Sequence, residues 1–160
     1  DSINRLLNIV QSNMSVGDLE QMMAFQVTLM KAVEPIEWDK LSNVSEVAYG
    51  QKLEGPVNHQ IVFLRVPDDG ASSLVAGVTN LFKLAEGAAQ GVITVETETH
   101  EGVALTAMRL PPQVPMSPCV GVDGDLFVFS TSPEMAKRCR ICPKQKTHWC
   151  SLMALLCSSS

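Results

Sequence analysis

Residues 91–110 read GVITVETETHEGVALTAMRL, and the way this stretch folds back on itself decides the architecture. Apolar and polar residues alternate on both sides of His100-Glu101-Gly102, as in two half-buried strands joined by a tight turn. A two-residue turn at Glu101-Gly102 would place Val103 and Leu105 on the face that carries Glu96, Glu98 and His100. A three-residue turn, His100-Glu101-Gly102, pairs Thr99 with Val103 instead. It gathers Ile93, Val95, Val103, Leu105 and Ala107 on one face and leaves Glu96, Glu98, Thr106 and Met108 on the other. One buried face and one wet face suit an antiparallel sheet, and Gly102 supplies the left-handed residue that such a loop uses. The expectation is the three-residue turn, with Val95 and Leu105 buried and Glu96 and Glu98 in water.

Working outward, ASSLVAGVTNLFKLAEGAA (71–89) carries Leu74, Val75, Val78, Leu81, Phe82 and Leu84 at helical spacing. Gly77 within it is unfavourable for a helix unless it permits close packing, here expected against a sheet. Upstream, VSEVAYGQKL (44–53) and HQIVFLRV (59–66) form a second hairpin around Gly55-Pro56. Downstream, CVGVDGDLFVFSTS (119–132) makes a third around Asp123-Gly124. A closing helix follows, with Ser132 as cap, Pro133 at its first position and Glu134 in its first turn. The chain opens with a helical pair, 3–13 and 18–33, separated by Gly17-Asp18 and ended by Pro35, with a short helical turn in EWDKLSN (37–43). The order predicts a single α+β domain: 1–34 a helical pair, 44–138 a mainly antiparallel sheet of five or six strands with helices on one face, and 139–160 a tail.

The composition narrows function by exclusion. Residues 1–136 hold all 17 acidic side chains against seven basic ones, a net charge of −10. The last 24 residues hold Lys137, Arg138, Arg140, Lys144 and Lys146 and no acid. An acidic body lacks the basic surface that nucleic-acid binding needs, and the basic tail is expected to lie against that body. No apolar run approaches the ~20 residues of a membrane-spanning helix. Aromatics are scarce and Met is plentiful, at eight, so the core should be aliphatic and adaptable.

Four of the five Cys fall in 139–157. CRICPKQKTHWC (139–150) offers Cys139, Cys142, His148 and Cys150 as zinc ligands. Tetrahedral zinc usually takes two chelating pairs across a longer loop than this one, and His148-x-Cys150 is an unusual second pair. A thioredoxin-like role would need Cys-x-x-Cys to follow a strand, and here it follows a helix start. Buried thiols are the favoured reading, with no metal and no cofactor. Trp149, Leu152, Met153 and Leu156 stand at i, i+3, i+4 and i+7, which predicts a tail helix docking through Trp149.

The run from VNHQIVFLRVPDDGASSLVAGVTNLF through the 91–110 stretch to CVGVDGDLFVFSTSPEMAKR resembles a set of uncharacterised exported bacterial α+β proteins, over about residues 57–138. DGDLFVFSTSPE (123–134) is the most specific piece. The resemblance implies an exported or periplasmic setting, the alternative being cytoplasmic, and no known enzymatic activity. The abrupt change after Arg138 resembles a shifted reading frame or a read-through end in a mobile gene cassette.

Two sets of residues remain as functional candidates. Glu96, Glu98 and His100 share one strand face, about 6–7 Å apart. They have the residue types for acid/base work or cation binding; a solvated strand face has the same pattern. Met22, Met23, Met30 and Trp149 belong to apolar helical stripes exceeding what one modest sheet can cover. They predict a non-enzymatic module that self-associates, as a two-fold homodimer, or binds another protein. A small enzyme or cation binder built on Glu96, Glu98 and His100 is the alternative, and a structural zinc site in the tail is a third reading.

Overall fold

The structure, a computed structural model, describes residues 16–140. In chain order it contains α1 (Val16–Val33), α2 (Trp38–Leu41), β1 (Glu46–Glu54), β2 (Val57–Arg65), α3 (Gly70–Ala88), β3 (Thr94–His100), β4 (Val103–Arg109), β5 (Cys119–Asp123), β6 (Leu126–Ser130) and α4 (Pro133–Arg140). The helices expected at 3–13 and in the tail lie outside the described residues. Pro35 follows the end of α1, and the backbone N–H of Met135 reaches Ser132 Oγ at 3.4 Å as the N-cap of α4.

The six strands form one open sheet, ordered β1-β2-β6-β5-β4-β3, with every neighbour antiparallel. The fold is α+β, and the expected five or six strands are six. Each of the three hairpins is local. Two ladders join them: β4 with β5 across a nearby connector, and β2 with β6, which pairs Ile61 with Ser130 and Phe63 with Val128.

Alternation along the inner strands produces two cores. One face gathers Ile61, Phe63, Leu105, Ala107, Cys119 and Val128 beneath Met135 and Ala136 of α4. The other places Val66, Val120 and Phe127 against Ile36, Ala71, Leu74 and Phe82. Helices α1 to α3 thus belong to one face, as expected, and α4 is the exception.

The two-sided core explains a correction. The turn of the 91–110 hairpin is the two-residue one: His100 pairs with Val103, Thr99 with Ala104 and Glu98 with Leu105. Glu101 (φ 49°) and Gly102 (φ 82°) are both left-handed, as a type I′ turn requires, and its twist matches that of the flanking strands. The three-residue turn presumes that one sheet face is wet. Here both faces bury apolar side chains. Val95 and Met108 point toward α3, while Val103, Leu105 and Ala107 fill the core under α4. Leu105 is buried and Glu96 exposed as expected, Val95 is only partly buried, and Glu98 is half-buried on the same face as Leu105.

Gly77 does permit a close approach, but not to the sheet. A Cβ there would overlap Cγ1 and Cδ1 of Ile36, which is buried in the segment linking α1 to α2. Gly77→Ala should lower stability by about 1–3 kcal/mol through overpacking, despite the ~1 kcal/mol helix preference of Ala over Gly. Urea unfolding with an unchanged m-value and an earlier midpoint is the expected result.

Candidate functional site

The β3 edge strand and α4 bring together the acid/base candidates. Glu96, Glu98 and His100 project from one face of β3, by the alternation of its register with β4. Glu96 Oε2 accepts a hydrogen bond from Arg109 Nε at 3.2 Å. Glu98 Oε1 meets Lys137 Nζ of α4 at 2.8 Å, and the same ammonium meets Glu134 Oε1 at 3.2 Å. Hydrogen bonding to Glu98, then to Glu134, raises the Lys137 pKa above its ordinary value. His100 is half-buried, its Nε2 enclosed by protein.

Strand alternation thus collects the three candidates, but each carboxylate already faces a cation. The arrangement braces β3 to β4 and β3 to α4. Glu98 is neither in the core nor fully in water: its side chain keeps 38% exposure around the Lys137 bridge. Among the described residues no group of three His, Cys, Asp or Glu side chains could hold a metal ion. Of the tail candidates, Cys139 contributes backbone to α4; its side chain, with Cys142, His148, Trp149 and Cys150, lies outside the described set.

Two clefts are lined by other residues. One, of about 220 Å³, lies between the β1–β2 hairpin and α4, with Lys52, Glu54, His59, Ser132, Glu134, Met135 and Arg138 in its walls. Lys52 Nζ lies 2.7 Å from Glu54 Oε1, and His59 Nε2 lies 3.6 Å from Glu54 Oε2. The hydrogen bond from Lys52 holds the Glu54 carboxyl below its usual range. The other, of about 200 Å³, is lined by Glu46, Val47, Ala48, Phe63, Arg65 and Leu126. Arg65 clamps its rim, reaching Glu46 Oε2 at 3.2 Å and Asp125 Oδ1 at 2.7 Å. Neither cleft was legible in the sequence, because their walls join residues about 60 to 85 positions apart whose proximity depends on the β2–β6 ladder.

The larger unanswered surface is apolar. From Glu20 to Lys31 every residue of α1 is exposed. Met22, Phe25 and Leu29 (i, i+3, i+7) form one stripe along it, and Met23, Val27 and Met30 (i, i+4, i+7) a second. The second stripe is the barer, with Met23 at 63% and Met30 at 65% exposure. A helix apolar on more than one side is normally enclosed. Among the described side chains of α1, only Ala32 and Val33 enter the core. A second patch, missed at the sequence level, lies on β1, where Val47, Tyr49 and Leu53 are exposed in alternation.

No protein-family model, curated protein or solved structure matches the chain.

Cys119 sits at 1% exposure under α4. Burial pushes its thiol up to about 12, only partly opposed by a backbone hydrogen bond at Ser130. The thiolate is the reactive form, so native Cys119 should resist thiol reagents at pH 8 and react on unfolding. Between the ordinary thiol value of 9.0 and about 12 the unfolded chain loses a proton that the native chain keeps. This group therefore leaves stability unchanged below pH 9 and lowers it as pH rises above, by up to about 1.4 kcal/mol per pH unit. A Cys119→Ala variant should show a flatter alkaline decline in urea-derived stability.

Proposed function

We propose that the protein is a non-enzymatic self-associating module that forms a two-fold homodimer. The observation that carries this reading is α1: twelve consecutive exposed residues, Glu20 to Lys31, bearing two apolar stripes. Contiguous apolar surface beyond a few hundred Å² is rare on a monomer and marks contact sites. Burying a Val, Met, Leu or Phe is worth roughly 1.5–3 kcal/mol. Six such side chains per copy are enough to offset an association cost of order 4–15 kcal/mol. An isologous two-fold arrangement is the commonest closed form for a chain that presents one such patch. The acid/base alternative draws no support from a strand face whose carboxylates already meet Arg109 and Lys137. The zinc alternative concerns side chains outside the described residues. An exported setting remains part of the proposal only through the resemblance of residues 57–138.

Light scattering on a sizing column at tens of micromolar should return twice the 17.3 kDa chain mass. Met23→Lys with Met30→Lys, both on the barer stripe, should weaken the dimer by about tenfold or more. Because both side chains are exposed, thermal unfolding of the dissociated chain should still be cooperative. A wild-type chain of single mass, with no change on substitution, would overturn the reading.

A further inference from the structure

We infer that, within this self-association, two copies join edge to edge through β1, making a continuous antiparallel twelve-stranded sheet. The inference rests on the self-association reading above and names one of its contacts. It starts from the two open edges of the sheet, which are β1 and β3.

The edges differ in kind. Along β3 the residues are Thr, Val, Glu, Thr, Glu, Thr and His, and the acidic pair Glu96 and Glu98 would meet like charge in many self-pairings. Charged edge residues discourage strand addition. β1 carries no such guard over its middle. It runs nine residues in unbroken register with β2, from Glu46↔Arg65 to Glu54↔Val57, with no bulge and no proline. Among the described residues no β1 backbone group bonds to any element except β2. Antiparallel pairing uses alternate residues on each side of a strand. The closing pair Glu54↔Val57 of the two-residue Gly55-Pro56 turn takes the bonded position. The odd-numbered residues, Val47, Tyr49, Gln51 and Leu53, then turn their N–H and C=O groups to the open edge. Three of these are the exposed apolar residues of β1, with Val47 at 68% and Leu53 at 73% exposure.

Self-complementarity identifies the occupant as a second copy. Antiparallel pairing across a two-fold axis normal to the sheet keeps like faces together, so only residues of the same parity oppose each other. Centring the axis on Gly50 sets Glu46 against Glu54 twice, a repulsive pairing. Centring it on Tyr49 sets Glu46 against Lys52 twice, an attractive one. It also sets the two Tyr49 rings directly opposite each other, each with Val47 of the other copy on its diagonal. The inferred register is the one centred on Tyr49.

Sedimentation equilibrium of the full chain and its variants tests this. Tyr49→Lys should raise the dimer dissociation constant at least tenfold, because it places two ammonium groups face to face on the axis. Glu46→Lys should weaken the dimer, and Glu46→Lys with Lys52→Glu should restore it to within a few-fold of wild type. Circular dichroism of each variant checks that the sheet is retained. An unchanged constant for Tyr49→Lys overturns the β1 contact while leaving self-association intact. A Glu46→Lys variant that binds more tightly overturns the Tyr49-centred register. A wild-type chain that is monomeric at tens of micromolar overturns the self-association reading, and with it this inference.

Discussion

The pairing of β2 with β6 holds the molecule together. Every other ladder but one closes within a hairpin, and the exception, β4 with β5, spans one short connector. Only β2–β6 ties residues near 60 to residues near 130. Its lower end is fastened by Ser130, buried, whose Oγ lies 3.0 Å from the Gln60 carbonyl and 2.9 Å from that of Ser132. Thr131 adds bonds in both directions, its N–H to the Gln60 carbonyl and its Oγ1 from the Gln60 N–H. The upper end is fastened by Arg65, which binds Glu46 on one neighbour and Asp125 on the other. Long-range antiparallel pairing bears the loop-closure entropy of the whole intervening chain. Buried hydroxyls and a doubly paired guanidinium are the groups that make one register preferable to its slips.

Once β2 and β6 pair, β5 and β4 follow beside them and the sheet acquires interior strands. Interior strands with apolar residues on both faces demand cover on both. α3 and the α1–α2 connection supply it on one side, and Met135 and Ala136 of α4 on the other. This demand also sets the fate of the charged side chains. Glu96 and Glu98 share their face with a core, so they turn to Arg109 and Lys137 at its margin. Exposed pairs of this kind are worth little in stability. Their effect here is to set a cation beside each carboxylate, leaving apolar surface as the conspicuous unmet feature. That surface sits where cover ends, along α1 and at the β1 edge, and both places face the outside of the chain.

Much of this architecture is legible in the sequence. The order of helices and hairpins follows from a change of period between 3.6 and 2. Ser132 and Pro133 set the start of α4, Pro35 follows the end of α1, and the last hairpin turns at Gly124-Asp125, one residue on from the expected Asp123-Gly124. Each is a local preference, expressed by residues a few positions apart, so no knowledge of the remainder of the chain is needed. The exposure of Met22, Met23 and Met30 was also legible as a surplus of apolar helix over one sheet.

What only the tertiary structure decided is which side of each element meets which neighbour. The 91–110 stretch admits two turns that differ by one residue, and a one-residue shift exchanges the faces of a whole strand. Local chemistry did not separate them, because Gly102 fits both. The choice falls to the type I′ turn because the sheet buries both faces, a fact set by β2–β6 pairing and the seat of α4. Gly77 likewise announced a close approach without naming Ile36 as its neighbour. The sequence by itself thus determined the elements and their caps, through interactions of short range. The faces, the ion pair of Glu98 with Lys137, and the uncovered β1 edge arise from contacts between residues far apart in the chain, whose energies exist only once the sheet has assembled.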